Sequence, residues 1–282
     1  MATHAYADVN NVRLHYVSDG SGPLILFLHG FPEFWYQWRN LLPEFSKDHC
    51  VVAPDMRGYN LSDKPTEPEQ YQMHYLVEDV RALAEHLGYH RFTLVAHDWG
   101  GFVAWNFAMA HPDCLDRLII VNSPHTAIFR RELAQNLMQQ QASTYMQLFR
   151  NPRAEAILSA KNYAKMTQML FGSGLFGSEE ETQSYITAWS QPGALTGGLN
   201  YYRAMTGQKS VNMPELSSAM INVPTLVIWG EKDTALLATN LDGLEQYVPE
   251  LTVKRIPDGT HWVIHEEPQT VIAMMREFLA EA

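Results

Sequence analysis

Five short runs of apolar residues, with helix-like patterns between them, place the strongest limit on how this sequence can fold. The runs cover residues 24–28, 51–53, 92–96, 118–121 and 225–229. Near-continuous apolar runs of this length are typical of parallel strands that are covered by helices on both faces. Strands that alternate with helices predict an α/β fold with a doubly wound, mostly parallel sheet. Residues 12–17 instead alternate polar with apolar, which predicts a half-exposed edge strand.

Apolar residues recur at helical spacing between these runs. One stripe consists of Leu76, Val80, Leu83 and Leu87. Gly88 follows it, as glycine often does at a helix C-terminus. Residues 101–110 are apolar nearly all round, which predicts a helix buried beside the sheet and ended by Pro112. Residues 270–279 carry a further apolar face, so the chain should end in a helix.

The alternation of strands and helices breaks once, between residues 125 and 210. This stretch is rich in Gln, Met and Tyr, has a helical pattern and contains no convincing strand. We therefore predict a core domain of residues 1–124 and 211–282, with a helical cap of residues 125–210 inserted after the sixth strand. Open α/β sheets bind ligands at the carboxyl ends of their strands, where such a lid would lie.

Composition excludes several classes of partner. With 20 Lys and Arg against 31 Asp and Glu, the net charge of −11 argues against a nucleic acid or an anionic membrane as partner. Cys50 and Cys114 form no CxxC pair, so neither a disulfide framework nor a zinc site is indicated. The first ten residues lack a signal-peptide pattern, and no apolar run reaches the roughly 18 residues of a membrane span. A cytoplasmic enzyme is expected, whereas the oligomeric state is not readable.

The sharpest local signal is residues 92–101, which read FTLVAHDWGG. A buried strand leads to Asp98, which two bulky residues flank, and two glycines then open a buried helix. This is the shape of a nucleophile elbow, with Asp98 where GxSxG enzymes place serine. Asp98 would serve equally well as a simple cap of the following helix. Two further segments favour the elbow.

The first of them, residues 26–32, reads LFLHGFP and runs from a strand into a His-Gly-x-Pro loop. A loop after this strand supplies one amide of the oxyanion hole in such folds, here the N–H of Phe31. The N–H of Trp99 would be the second. Pro32 has no N–H to contribute, and its bond to Phe31 permits a cis turn.

The second segment lies late in the chain. Residues 226–233 read LVIWGEKD, a strand that ends in acids, and His261 lies in a loop before the last helix. The order nucleophile, acid, histidine is that of an α/β-hydrolase triad. Asp233 is favoured over Glu231 as the acid, because it lies further beyond the strand end and can turn into the cleft. His265 has helical metal-ligand spacing from His261, but no carboxylate motif supports a metal, so a surface or packing role is expected.

Together these motifs resemble the epoxide hydrolases of the α/β-hydrolase superfamily, and the resemblance covers residues 9–278. Residues 29–33 resemble the HGxP loop of that family, and residues 97–101 resemble its nucleophile motif. The resemblance implies two lid tyrosines that activate the epoxide oxygen. Tyr202 matches the N-aromatic-Y-R pattern at residues 200–203, and Tyr145 matches the other by its distance from Pro152. Tyr201 points about 100° away from Tyr202 on a helix, so the two should not both face the cleft.

The chemistry of that family explains why these residue types belong together. Asp98 attacks the epoxide to form an alkyl ester, while a tyrosine with an ordinary pKa of about 10 donates the proton that the expelled oxygen needs. His261, oriented by Asp233, then activates the water that cleaves the ester. The implied partners are a small apolar epoxide and water, with no cofactor and no metal.

The closest alternative is a haloalkane dehalogenase, which uses the same aspartate. A departing halide needs N–H donors: Trp99 could supply one and Trp189 another, although Phe31 lacks the side-chain donor that this loop position usually has. Fluoroacetate dehalogenases carry arginines at the positions of Trp99 and Phe102, and those arginines are absent here. An esterase is disfavoured, because attack of an aspartate on an ester would give an anhydride. A non-catalytic binding protein would be expected to lack at least one of the five catalytic side chains.

Overall fold

A single eight-stranded sheet organises the chain, in the strand order β1-β2-β4-β3-β5-β6-β7-β8. The computed structural model describes residues 2–172, 174, 177–205 and 220–281. The strands are β1 (Thr3–Val9), β2 (Val12–Gly20), β3 (Leu24–Leu28), β4 (Cys50–Pro54), β5 (Phe92–His97), β6 (Leu115–Val121), β7 (Thr225–Gly230) and β8 (Leu251–Ile256). β2 pairs antiparallel with β1 and β4, and all other pairs are parallel. The predicted mostly parallel sheet is confirmed.

The expectation that residues 12–17 form an edge strand is wrong. β2 pairs with β4 on one side and with β1 on the other, so β1 forms that edge of the sheet. β8 forms the opposite edge. Both outer strands are largely exposed or half-buried, so neither carries the apolar run by which the central strands were recognised.

Helices cover both faces of this sheet. They are α1 (Leu42–Phe45), α2 (Met73–His86), α3 (Asp98–Ala110), α10 (Val263–Glu266) and α11 (Pro268–Ala280). As the apolar sequence predicts, α3 is buried over most of its length. Gly88 follows α2 with φ +85°, a left-handed conformation that glycine adopts without strain.

Six helices lie between β6 and β7 in the described part of the chain, with no strand among them. They are α4 (Thr126–Gln135), α5 (Leu137–Ala142), α6 (Tyr145–Arg150), α7 (Ala154–Phe171), α8 (Glu179–Trp189) and α9 (Ala194–Ala204). Non-helical backbone from Ala160 to Tyr163 interrupts α7. The predicted end of the insertion at residue 210 lies outside the described residues. None of the described helices is long and apolar enough to cross a membrane.

The register of the central strands aligns the points at which they end. β5, β6 and β7 run parallel, with Val95 opposite Ile119 and Ile119 opposite Leu226. The residues that follow parallel strands therefore meet at one edge of the sheet. The chain places carboxylates, hydroxyls and amides there.

Candidate active site

The turn from β5 into α3 holds Asp98 in a left-handed backbone conformation, with φ +49°. Such a conformation is uncommon for a residue with a side chain, and it persists only where the surrounding packing enforces it. A Cβ on Gly100 would lie 2.4 Å from the carbonyl oxygen of Leu28, and one on Gly101 would lie 2.3 Å from Cβ of Ser123. Both positions therefore need glycine, because the turn packs directly against the neighbouring strands.

The carboxylate of Asp98 lies against the backbone amides of Phe31 and Trp99, the two that the sequence analysis considered for an oxyanion hole. The Phe31 N–H donates to Oδ1 at 2.8 Å, and the Trp99 N–H also donates to this carboxylate. The hydroxyl of Ser123 donates to the Asp98 carbonyl oxygen at 2.7 Å and braces the turn. Burial raises the pKa of Asp98 above its ordinary value, although the charge of His261 and the two amides oppose this effect.

Asp233 follows β7 and is held by a set of four hydrogen bonds. Its Oδ1 accepts from the backbone N–H groups of Ala235 and Leu236, at 2.8 and 2.9 Å. Its Oδ2 accepts from Nδ2 of Asn122 at 2.8 Å and lies 2.7 Å from Nδ1 of His261. Burial alone would raise the pKa of Asp233, but His261 and these donors outweigh it and hold the pKa below the ordinary value.

His261 lies between the two aspartates. Its Nδ1 faces Asp233, and its Nε2 lies 3.6 Å from Oδ2 of Asp98. Burial by itself would lower the pKa of His261, but the negative charges of Asp233 and then Asp98 raise it to about 9. The imidazole is therefore protonated at neutral pH while both carboxylates are charged.

Two tyrosines from the inserted helices face this edge of the sheet. Tyr145 begins α6, Tyr202 lies on α9, and their ring centroids are 6.3 Å apart. Burial, reinforced by the charge of Asp98, raises the pKa of both hydroxyls, so both stay protonated. Tyr201 points elsewhere and donates its hydroxyl to the Arg57 carbonyl oxygen at 2.9 Å.

A cavity with about 360 Å³ of empty space is lined by Asp98 and by both tyrosines, whereas Asp233 and His261 are not among its described lining residues. It is lined by Asp98, Trp99, Phe102, Ser123, Pro124, Phe129, Tyr145, Met146, Tyr202, Met205 and Leu236. Apolar side chains make up most of this wall, and the aspartate and the two tyrosines supply its reactive groups. The cavity therefore suits an apolar molecule that carries one reactive polar centre.

Glu231 and His265, which the sequence analysis weighed as an alternative acid and a possible metal ligand, lie outside this arrangement. Glu231 points to the surface, where its carboxylate pairs with Arg255 at 2.8 Å. His265 is buried, with its Nε2 2.7 Å from Oε1 of Glu33, so it is a packing residue rather than a surface one. The described residues contain no group of three or more His, Cys, Asp or Glu side chains arranged to hold a metal ion.

Trp189, the potential second halide donor, is committed to another contact. Its indole N–H donates to the Pro32 carbonyl oxygen at 2.6 Å, and it is not among the described residues that line the cavity. The Trp99 ring packs edge-on against the Tyr202 ring, with centroids 5.1 Å apart. The Trp189 indole N–H therefore already has a partner within the protein.

Sequence reasoning missed two polar residues at the site, Asn122 and Ser123. Asn122 binds Asp233 through Nδ2, and its Oδ1 accepts the Gly230 N–H at 2.8 Å. Both residues directly follow the buried strand β6. A pair of polar residues at the carboxyl end of a central strand was the signal that could have identified them.

Comparison with known proteins agrees with this geometry. The sequence matches the alpha/beta hydrolase fold family over residues 23–268. It is 37% identical to epoxide hydrolase 2 of Caenorhabditis elegans, over 99% of this chain and 80% of that protein. Epoxide hydrolase 3 of Xenopus tropicalis is 38% identical, over 99% of this chain and 78% of that protein.

One solved structure also resembles this chain over nearly its full length. The crystal structure of Bacillus megaterium epoxide hydrolase in complex with an inhibitor superposes with a TM-score of 0.93 at 39% identity. The superposition covers 98% of this chain and 100% of that chain. Fold, sequence and site geometry agree, and this chain belongs to the epoxide hydrolases of the alpha/beta hydrolase fold family.

Proposed function

We propose that the chain hydrolyses an apolar epoxide to a vicinal diol through a covalent alkyl ester on Asp98. One observation carries this proposal: the Asp98 carboxylate and the hydroxyl-bearing rings of Tyr145 and Tyr202 line the same apolar cavity. A nucleophile and a proton donor are what the opening of a three-membered ether requires. Residues 125–210 act in this proposal as a cap that delivers both tyrosines.

In the first step, a carboxylate oxygen of Asp98 attacks one carbon of the epoxide. Oδ1 accepts the Phe31 N–H and so is poised to become the oxyanion, which leaves Oδ2, the oxygen that faces His261, as the attacking atom. The carbon–oxygen bond of the ring breaks as the ester bond forms, and Tyr145 or Tyr202 gives its proton to the departing oxygen. The products of this step are a hydroxyalkyl ester and a tyrosinate.

In the second step, His261 takes a proton from water, and the resulting hydroxide adds to the carboxyl carbon of Asp98. The negative charge that develops on Oδ1 is held by the backbone amides of Phe31 and Trp99. Collapse of this intermediate releases the diol, which takes one proton of the water. The other proton restores the tyrosine, so the enzyme returns to its starting state.

The two steps are linked by the charge on Asp98. In the free enzyme that charge helps raise the pKa of His261, which is then protonated and cannot act as a base. Ester formation removes the charge, so the pKa of His261 falls and the imidazole releases its proton to solvent, which leaves it able to act as a base. A proton returns to the ring when Asp98 is ionised again. Asp233 remains ionised and keeps the imidazole oriented through the 2.7 Å contact with Nδ1.

Dehalogenation is the disfavoured alternative. A halide needs two free N–H donors, whereas the Trp189 indole N–H donates to the Pro32 carbonyl oxygen and, of the described tryptophans, Trp99 alone lines the cavity. Tyrosine hydroxyls beside the aspartate favour an oxygen leaving group, which needs a proton.

The apolar wall favours an alkyl or aryl epoxide. A mutant of Bacillus megaterium epoxide hydrolase, 38% identical to this chain with a TM-score of 0.90, has been crystallised with its product (R)-3-[1]naphthyloxy-propane-1,2-diol. Aryl glycidyl ethers are therefore suitable substrates to try alongside styrene oxide.

We also propose a cytoplasmic location, which two free thiols at Cys50 and Cys114 favour and which cell fractionation would test.

A side-by-side assay tests the proposed activity. The purified protein is incubated with styrene oxide and, separately, with 1-bromobutane, and both diol and free bromide are quantified. We expect diol without bromide, and we expect Asp98→Ala to remove the activity while the protein retains its circular dichroism spectrum. Bromide without diol would establish the dehalogenase instead.

A further inference from the structure

Two buried side chains, Gln37 and His97, lie behind the catalytic edge of the sheet. Each is only 1% exposed, and Nε2 of Gln37 lies 2.7 Å from Nδ1 of His97. Gln37 belongs to a short 3-10 helix, Trp35–Trp38, and His97 is the last residue of β5. Neither side chain lines the cavity at Asp98 among the described residues. The mechanism described above uses neither of them.

Elementary hydrogen-bond chemistry determines the direction of each bond. Nε2 of His97 lies 2.9 Å from the carbonyl oxygen of His261, which can only accept, so Nε2 carries the hydrogen. Nδ1 of the neutral ring then has a lone pair, which accepts the amide N–H of Gln37. The Gln37 Oε1 is left to accept the backbone N–H of Gly30 at 3.3 Å.

The ring of His97 is held in this neutral state. Burial lowers the pKa of His97 to about 3, and the neighbouring charges of His261 and His265 act in the same direction. Glu33 opposes them with its negative charge, without reversing the outcome. A neutral ring has one donor and one acceptor, which is the pattern that the bonds to His261 and Gln37 require.

These three bonds join three pieces of the catalytic apparatus. Gly30 immediately precedes Phe31, whose amide binds Asp98, and His97 immediately precedes Asp98 itself. The third bond reaches the backbone of His261, and the rings of His97 and His261 also pack with centroids 4.7 Å apart. The loop that carries Phe31, the turn at Asp98 and the loop that carries His261 are thus connected through Gln37 and His97.

We propose that Gln37 is a positioning residue for the second step of the reaction, holding the Phe31 amide and His261 in register with Asp98. This inference rests on the proposed function. Ester hydrolysis needs the base and the oxyanion donors to be aligned on one carbon, whereas ester formation depends mainly on Asp98 and the tyrosines. Displacement of a catalytic group by about 1 Å costs on the order of 100-fold in rate.

The test compares Gln37→Met, which keeps the length of the side chain but loses both amide hydrogen bonds, with Thr225→Val. Thr225 is fully buried and donates its hydroxyl to the Val223 carbonyl oxygen at 2.7 Å, at the start of β7 and away from the site. Thr225→Val therefore removes a buried hydrogen bond without touching the Gln37–His97 pair. Rapid-quench experiments with styrene oxide would measure ester formation and ester hydrolysis separately for each variant.

For Gln37→Met we expect the hydrolysis rate constant to fall about ten-fold or more, with ester formation changed by less than about two-fold. The ratio of the two rate constants should stay at the wild-type value in Thr225→Val. Equal losses in both steps, or no loss in either, would overturn the proposal. If the wild-type enzyme formed no ester at all, the proposed function would have failed rather than the role of Gln37.

A second measurement does not depend on the folding of any variant. The nitrogen-15 spectrum of wild-type protein labelled at histidine reports the tautomer of each ring. We expect His97 to be neutral with its hydrogen on Nε2, as its bonds to His261 and Gln37 require. A hydrogen on Nδ1, or a protonated ring at neutral pH, would contradict the proposed role of Gln37.

Discussion

Nε2 of His261 lies 3.6 Å from Oδ2 of Asp98, the carboxylate oxygen that attacks the substrate in the proposed mechanism. This distance exceeds that of a direct hydrogen bond, so the imidazole faces the nucleophile without occupying its lone pair. In that mechanism the same ring nitrogen faces the ester once Oδ2 is alkylated. His261 would therefore take no part in the first step and would act on water in the second.

Replacing His261 with glutamine should separate these two steps. His261→Gln keeps a polar side chain beside Asp98 but removes the base, so ester formation should continue while hydrolysis falls by roughly 1,000-fold or more. Mass spectrometry of the Asp98 peptide after incubation with styrene oxide should show a gain equal to one substrate molecule. Multiple turnovers at the wild-type rate, or substrate binding without an adduct, would contradict the two-step scheme.

The proposed role of Tyr145 and Tyr202 as proton donors leads to a separate prediction about the first step. With both hydroxyls removed in the double variant Tyr145→Phe and Tyr202→Phe, the departing oxygen has no proton donor. Ring opening should slow by roughly 100- to 10,000-fold, the range typical of a lost general acid. Tyr201→Phe is the matched control, because its hydroxyl binds the Arg57 carbonyl and should not supply a proton. Equal rates for the wild type and the double variant would mean that another acid opens the ring.

The pH dependence of ester hydrolysis follows from the charges around His261. The pKa of this histidine is about 9 while Asp98 and Asp233 are both ionised. Esterification removes the Asp98 charge, so the pKa is lower in the intermediate, and only the deprotonated ring accepts a proton from water. Hydrolysis in single-turnover experiments should therefore rise with pH and level off below pH 9. A rate that falls as the pH rises would exclude His261 as the base.

Part of this site is visible in the sequence because its residues directly follow buried strands. Asp98 and Asp233 come after β5 and β7, and the apolar runs of those strands locate them. Tyr145 and Tyr202 lie on inserted helices with no comparable landmark, so only a family resemblance singles them out. The bond between Gln37 and His97 joins residues sixty positions apart. Their contact depends on tertiary packing, which no local pattern encodes.

The edges of the sheet were hidden for a related reason. β1 and β8 each have only one neighbouring strand and are largely exposed or half-buried, so their sequences lack a continuous apolar run. β2 alternates in sequence as an edge strand would, yet it pairs on both sides. Periodicity reports how the side chains are buried, and it does not report how many strands lie alongside.

The central claim, a covalent ester on Asp98, is tested most directly by a single turnover in water enriched in oxygen-18, with the enzyme in excess over styrene oxide. If the ester forms, the oxygen delivered to the diol comes from the Asp98 carboxylate. The diol should then carry no label, while the Asp98 peptide gains one oxygen-18 atom. A diol labelled in that first turnover, with an unlabelled Asp98 peptide, would show that water attacks the epoxide directly and would contradict this account.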